Sequence, residues 1–222
     1  KAVQKALSAE LADDAERILA KASPAPFAPN AEQAGIRALR GAMIALTGAM
    51  RGSASDAKLK AVFDAAPNMT ESLTSLRALC ASDAAGKTEA IEAFEAKWTS
   101  NPLVMDKWFA VQAGTATAAE AKALLAHPDF DLSNPNRVRS VAAVFAMQNL
   151  AAFHAPDGSG YQLLAQVIAE ADAKNPALAA RLLPAFEAWK SVEPKARAAA
   201  ETALISLRDK DLSKNAADIV TR

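Results

Sequence analysis

The sequence predicts an all-α chain, a superhelical array of antiparallel helix pairs with no sheet, and three observations carry that expectation. About one residue in four is alanine, the strongest helix former, while the chain holds only 8 Gly and 1 Tyr. Apolar residues recur at helical spacing in one-sided stripes. Short breaks rich in proline, asparagine and glycine separate the stripes, so the helices are short and closely connected.

In chain order, Val3, Leu7, Leu11 and Ile18 mark the first helix, and Ile36, Leu39, Met43, Leu46 and Met50 the second. Leu73, Leu76 and Cys80, then Ile91, Phe94 and Trp98, mark two more. Between them lie Ser23-Pro24-Ala25-Pro26 with Pro29-Asn30, then Gly52-Ser53, Ala66-Pro67-Asn68 and Ala85-Gly86. Each removes a backbone donor or favours a turn. Three later breaks, Asn101-Pro102, Asn134-Pro135 and Asn175-Pro176, set an N-cap acceptor before a proline whose missing N–H costs nothing at the first helical position. These starts are roughly 33 and 41 residues apart, a period that suits an ARM/HEAT-like helical repeat. Pro184 falls inside the helical segment from Pro176 to Lys190, where it frees the carbonyl of Ala180 and predicts a kink. The last helices are expected from about Pro194 to Leu207 and from Leu212 onward. Residues 1–222 read as a single helical-repeat domain.

Composition excludes several function classes. Lys+Arg 25 against Asp+Glu 25 gives a formal charge of zero and offers a nucleic-acid backbone or an anionic membrane surface no attraction. No run approaches the ~18 apolar residues of a membrane helix. One cysteine, Cys80, cannot form an internal disulfide framework, and with no secretion signal a cytoplasmic location is expected. The chain opens at Lys1, which reads as a piece of a longer protein.

Catalytic patterns are missing from these residues. His127 and His154 are the two histidines, neither with a second His or a Glu one turn away, so no zinc helix of the His-Glu-x-x-His kind is present. His127 stands where a helix ends and His154 before a turn, and both read as capping or packing residues. Asp157-Gly158-Ser159-Gly160 lacks the alternating acids of a calcium loop and reads as a turn, and Asn68-Met69-Thr70 reads as a helix cap. Trp98, Trp108 and Trp189, and Cys80, read as core.

The arginines carry more information. Arg137 and Arg139 occupy the first turns of the helix opened by Asn134-Pro135, where a positive charge opposes the helix dipole by about 0.3 to 1 kcal/mol. Val138, Val141, Ala142 and Phe145 form that helix's stripe and set Arg139 at its border. Arg181 is in phase with Leu178, Leu182, Ala185 and Trp189, a guanidinium carried along an apolar face just before Pro184. A structural ion pair or snorkelling side chain explains either arginine, and so does a cavity lining.

Three strings are familiar: Asn101-Pro102-Leu103-Val104-Met105-Asp106-Lys107-Trp108-Phe109, Ser133-Asn134-Pro135-Asn136-Arg137-Val138-Arg139-Ser140, and Ala152-Phe153-His154-Ala155 with Asp157-Gly158-Ser159-Gly160-Tyr161. They resemble the C-terminal helical domain of the bacterial aminopeptidase N family of zinc metallopeptidases. The likeness is close from Ala93 to Ala180 and collinear, though weaker, on both sides. It implies a superhelix of helix pairs that caps an upstream catalytic domain of the same chain and restricts access of peptide substrates. It also implies zinc in the parent enzyme but not in this part, and a chain inactive alone. By the same resemblance Arg139 and Arg181 face the bound peptide, and Ala177 departs from relatives that carry a polar residue there. The N-terminal part of the helical domain is expected before Lys1. The competing class is an independent helical-repeat scaffold for a protein partner. A helical-repeat nucleic-acid binder would need its basic residues gathered on one surface.

Overall fold

The structure is a computed structural model that describes residues 2–21, 23, 26–50 and 52–220; Pro24 and Ala25 of the first expected break lie outside the described residues. Every regular element among the described residues is helical, and none is a strand. The chain divides into two compact units, Lys1–Val111 and Gln112–Arg222.

Unit 1 comprises α1 (Ala2–Glu10), α2 (Ala12–Leu19), α3 (Ala31–Met50), α4 (Ser53–Asp64), α5 (Met69–Ser82), α6 (Lys87–Trp98) and the start of α7 (Pro102–Ala113). α5 is its pivot and packs against α3, α4 and α6, while α1 and α2 lie on α3. Ile44, Leu59, Leu76, Leu79 and Phe94 fill the centre. Asn68 accepts from the Glu71 N–H at 3.0 Å, the expected cap of α5. Trp108 is buried and donates from Nε1 to the Ile91 carbonyl at 3.0 Å, which ties α7 to α6. Cys80 is buried, as expected of a core residue.

Two expected stripes are displaced. The first predicted helix is two helices that meet at Leu11, and Val3 and Leu7 are exposed. On α3 the buried face is Arg40, Met43, Ile44, Thr47 and Gly48, with Ile36 and Leu39 outside. A helix turns 100° per residue, so this face is rotated by roughly a quarter turn from the predicted row. The displacement follows from Arg40, whose guanidinium is held inside by the Glu71 carboxylate of α5 at 3.0 Å.

Unit 2 holds α8 (Ala118–Leu125), α9 (Pro135–Val138), α10 (Val144–Gln148), α11 (Leu150–Phe153), α12 (Ser159–Asp172), α13 (Pro176–Leu182), α14 (Pro194–Arg208) and α15 (Lys214–Val220). A π-helical stretch, Arg139–Ala143, joins α9 to α10, and a 3₁₀ stretch, Leu183–Ser191, follows α13. α12 is central, in contact with α8, α11, α13 and α14. The Asn-Pro starts behave as expected: Asn101 Oδ1 accepts from the Val104 N–H at 3.3 Å and Asn175 Oδ1 from the Leu178 N–H at 3.1 Å. Pro184 does more than kink its helix. The α-helix stops at Leu182 and the backbone rewinds with three residues per turn, so Leu183 and Phe186 are buried in register, with Trp189 half-buried beyond them.

At the α11–α12 corner Phe153, Tyr161 and Phe186 form a buried aromatic cluster, ring centroids 4.9 to 5.9 Å apart. The corner is tight because Gly160 carries no side chain: a Cβ there would stand 2.5 Å from the Phe153 carbonyl oxygen. Gly158 adopts φ of 72°, which glycine tolerates without strain. Asp157 Oδ1 accepts from the Ser159 N–H at 3.0 Å and its hydroxyl at 2.7 Å, the expected turn. Those two bonds hold the Asp157 carboxyl below its ordinary range.

Candidate functional site

Asn134 and Pro135 start α9: the Asn134 side chain accepts from the N–H groups of Asn136 at 3.0 Å and Arg137 at 3.4 Å. The chain then places its two neighbouring arginines in opposite environments. Arg137 is buried and donates to the Asp129 carbonyl, so one cation is consumed in holding the loop ahead of α9. Arg139 is exposed and donates to the Asn136 side chain.

The backbone explains this separation. Ser140 returns its hydroxyl to the Arg137 carbonyl at 2.8 Å, and the helix widens from Arg139 into i→i+5 winding. Ser140, Val141, Ala142, Phe145 and Ala146 then all point inward. Arg139, expected at the border of the stripe, is instead exposed. π-helical turns are frequent at functional positions because they re-aim side chains without breaking the helix.

Arg181 is likewise exposed, in the last turn of α13, where a positive charge suits the dipole. Its expected place on the apolar face is lost because the buried residues are Leu178, Ala179 and Leu182, followed by the 3₁₀ row at Leu183 and Phe186. No hydrogen bond or ion pair engages its side chain among the described residues. The guanidinium therefore keeps five N–H donors for an outside acceptor, and Arg139 keeps those its bond to Asn136 does not use. The two arginines stand on separate helices of unit 2.

The histidines are occupied. His127 Nδ1 accepts from the Asp129 N–H at 3.1 Å in the turn after α8. His154 closes α11, with Nδ1 2.7 Å from the Tyr161 hydroxyl and its ring edge-on to Phe153 at 5.0 Å. Desolvation lowers the His154 pKa from its ordinary value. Tyr161 is fully buried; its pKa is raised, first by desolvation and then by the Glu193 carboxylate. This is a packing role, as the sequence implied.

Two features escaped the sequence. The first is the buried Arg40–Glu71 pair, which lines a cleft of about 450 Å³ in unit 1. Its one local signal is a charge inside the α3 apolar pattern, as at Arg181. The second is Asp172, buried on α12, whose carboxylate accepts from both the N–H and the hydroxyl of Ser213 at 2.6 Å and so anchors the start of α15. Its partner is distant in sequence. A roomier cleft of about 600 Å³, between α2 and α4, also belongs to unit 1, whereas both candidate arginines belong to unit 2.

The family model DUF3458_C, described as a domain of unknown function with ARM repeats, matches residues 1–222. Aminopeptidase N of Escherichia coli is 34% identical over 211 residues, 93% of this chain and 24% of the relative. Aminopeptidase N of Caulobacter vibrioides is 39% identical over 172 residues, 76% of this chain and 20% of the relative. The crystal structure of Legionella pneumophila aminopeptidase A in complex with aspartic acid aligns with a TM-score of 0.85 at 28% identity, covering 99% of this chain and 27% of that one. The chain thus spans about a fifth to a quarter of the length of these relatives. It belongs to the DUF3458_C ARM-repeat family and is a helical domain of the aminopeptidase N type.

Proposed function

We propose that this domain is the non-catalytic C-terminal part of a zinc aminopeptidase that removes N-terminal residues from peptides. It caps the catalytic domain, restricts access to the active-site cavity, and presents Arg139 and Arg181 to the bound peptide. The observation that carries the reading is the 34% identity to an aminopeptidase N over 93% of the chain.

The chemistry of the two arginines supports it. A planar guanidinium pairs with a peptide carboxylate or backbone carbonyl through charge-assisted hydrogen bonds that strengthen where water is excluded. Both side chains are exposed with donors to spare, and neither is spent on a buried ion pair as Arg40 is. Held on helices, they would orient a peptide and leave bond cleavage to groups elsewhere in the enzyme.

The zinc of the parent belongs, on this reading, to the catalytic part of the longer chain, because His127 and His154 are not spaced as the His-Glu-x-x-His helix of such a site requires. No catalytic step is assigned to this chain.

The test compares the longer protein with these 222 residues for bound zinc and for hydrolysis of an alanyl reporter substrate. The proposal expects zinc and activity in the longer protein and neither in the domain. A longer protein with no zinc and no peptidase activity would overturn it and favour the scaffold reading.

A further inference from the structure

The Arg139 guanidinium is held by a neutral group. Its Nη2 donates to the side-chain oxygen of Asn136, three residues earlier, and no carboxylate among the described residues lies within ion-pair reach of it. Asn136 is itself fixed from behind. Asn134 Oδ1 accepts from the Asn136 N–H at 3.0 Å and Pro135 sets the first turn, so the backbone is held while both side chains stand exposed.

Helix stability gives no reason for asparagine at this position. It is the second residue of the helical run that starts at Pro135, where unpaired N–H groups favour an acid, and asparagine is a poor helix former; the first turn nevertheless carries no acid. An aspartate would suit the helix start and the arginine together. Helix α2 shows that arrangement: Asp14 and Arg17 have the same spacing of three residues and form an exposed ion pair at 2.6 Å. On α2 a carboxylate neutralises the cation, whereas on α9 an amide oxygen holds it and leaves its charge whole.

The difference decides what Arg139 can offer. An untethered arginine samples many rotamers, and ordering it on binding costs entropy. An acid partner would order the side chain, but an incoming peptide carboxylate would then have to displace it. Asn136 orders the side chain and leaves the remaining N–H donors unopposed. We infer that Asn136 is a positioning residue for Arg139: its amide oxygen tethers the guanidinium and keeps the cation uncompensated for the carboxylate or carbonyl of a bound peptide. The inference rests on the reading of Arg139 as a peptide contact.

Steady-state kinetics of the longer enzyme on a peptide test this, with Asn136→Asp, Arg139→Ala and the double variant measured beside their melting temperatures. Asn136→Asp recreates the pairing of Asp14 with Arg17. It is expected to raise KM for the peptide about three- to fivefold with kcat little changed, as for binding lost equally from ground and transition states. Its melting temperature should hold or rise, since the new acid suits the helix start. In the Arg139→Ala background the same change should add nothing, because the two residues act as one unit. Unchanged peptide kinetics in Asn136→Asp beside a defective Arg139→Ala would overturn this inference alone. So would an equal loss from Asn136→Asp in the Arg139→Ala background, or a fall in melting temperature that accounts for the lost activity. Peptide kinetics unchanged by Arg139→Ala would instead overturn the reading of Arg139 as a peptide contact, and the inference with it.

Discussion

The Arg40–Glu71 pair gives the sharpest stability prediction. The two side chains are 9% and 1% exposed, with Nη2 3.0 Å from Oε2. Arg40 Nε donates to the same carboxylate oxygen at 3.0 Å. Its Nη1 reaches the carbonyls of Ile18 at 3.3 Å and Leu19 at 3.4 Å, and also that of Lys21, so the cation closes the end of α2. Glu71 in turn accepts from Ser23 and from Asn68. Glu71→Gln preserves the shape but leaves a buried guanidinium without its counter-charge, which costs ~3 to 5 kcal/mol. For a chain of this size, ~1 kcal/mol moves the melting temperature by about 2 to 4 °C, so a drop of about 6 to 20 °C is expected in thermal unfolding followed by circular dichroism. The double change Arg40→Met with Glu71→Leu removes both charges and should recover most of that loss, because a buried pair contributes little net stability over a well-packed apolar one. A Glu71→Gln drop under about 2 °C, or a double variant worse than the single, would refute the reasoning.

Three further predictions concern local geometry. Gly160→Ala forces a Cβ to 2.5 Å from the Phe153 carbonyl oxygen and should cost more than ~2 kcal/mol in urea unfolding, whereas Gly35→Ala, in open space on α3, should stabilise by about 0.5 to 1 kcal/mol. The folded His154 binds its proton less readily than the ordinary histidine of pKa 6.5. The unfolded chain therefore takes up protons first as pH falls through 6.5, and stability declines on acidification; His154→Gln should flatten that part of the melting-temperature profile, and an unchanged profile would remove His154 as its source. Asp172→Ala takes away both acceptors of Ser213, so hydrogen exchange should quicken in α15 while α12 retains its protection; equal loss in both would mean that Asp172 supports the whole unit.

Local chemistry was the part most legible in the sequence. Asn68, Asn101, Asn134 and Asn175 each cap a helix because the acceptor and the orphan N–H groups lie within three residues of one another. Fold class was legible for the same reason, since alanine content and short breaks act residue by residue. Burial at Arg139 and Arg181 was not. A single α-helical period does not hold through unit 2: the chain departs from it twice, through the π-helical turn that begins at Arg139 and the 3₁₀ rewinding that Pro184 imposes. On α3 the buried face was not legible, because a charge at position 40 signals exposure until its partner, 31 residues away, is known. The resemblance pointed to the family, which the family match bears out, and it left the environments of the arginines open: Arg137 is spent inside the fold while Arg139 and Arg181 are exposed.

The central claim is that this domain handles peptide within an aminopeptidase and does not serve structure alone. Its most direct test is the steady-state kinetics of the longer enzyme carrying Arg139→Ala with Arg181→Ala, measured on a peptide beside its melting temperature. Exposed side chains outside the core change stability by about 0.5 kcal/mol or less. An essentially unchanged melting temperature is expected, with kcat/KM for the peptide reduced at least about tenfold, a loss of ~1.4 kcal/mol of transition-state stabilisation. Unchanged peptide kinetics, or a large fall in melting temperature that accounts for the lost activity, would contradict it.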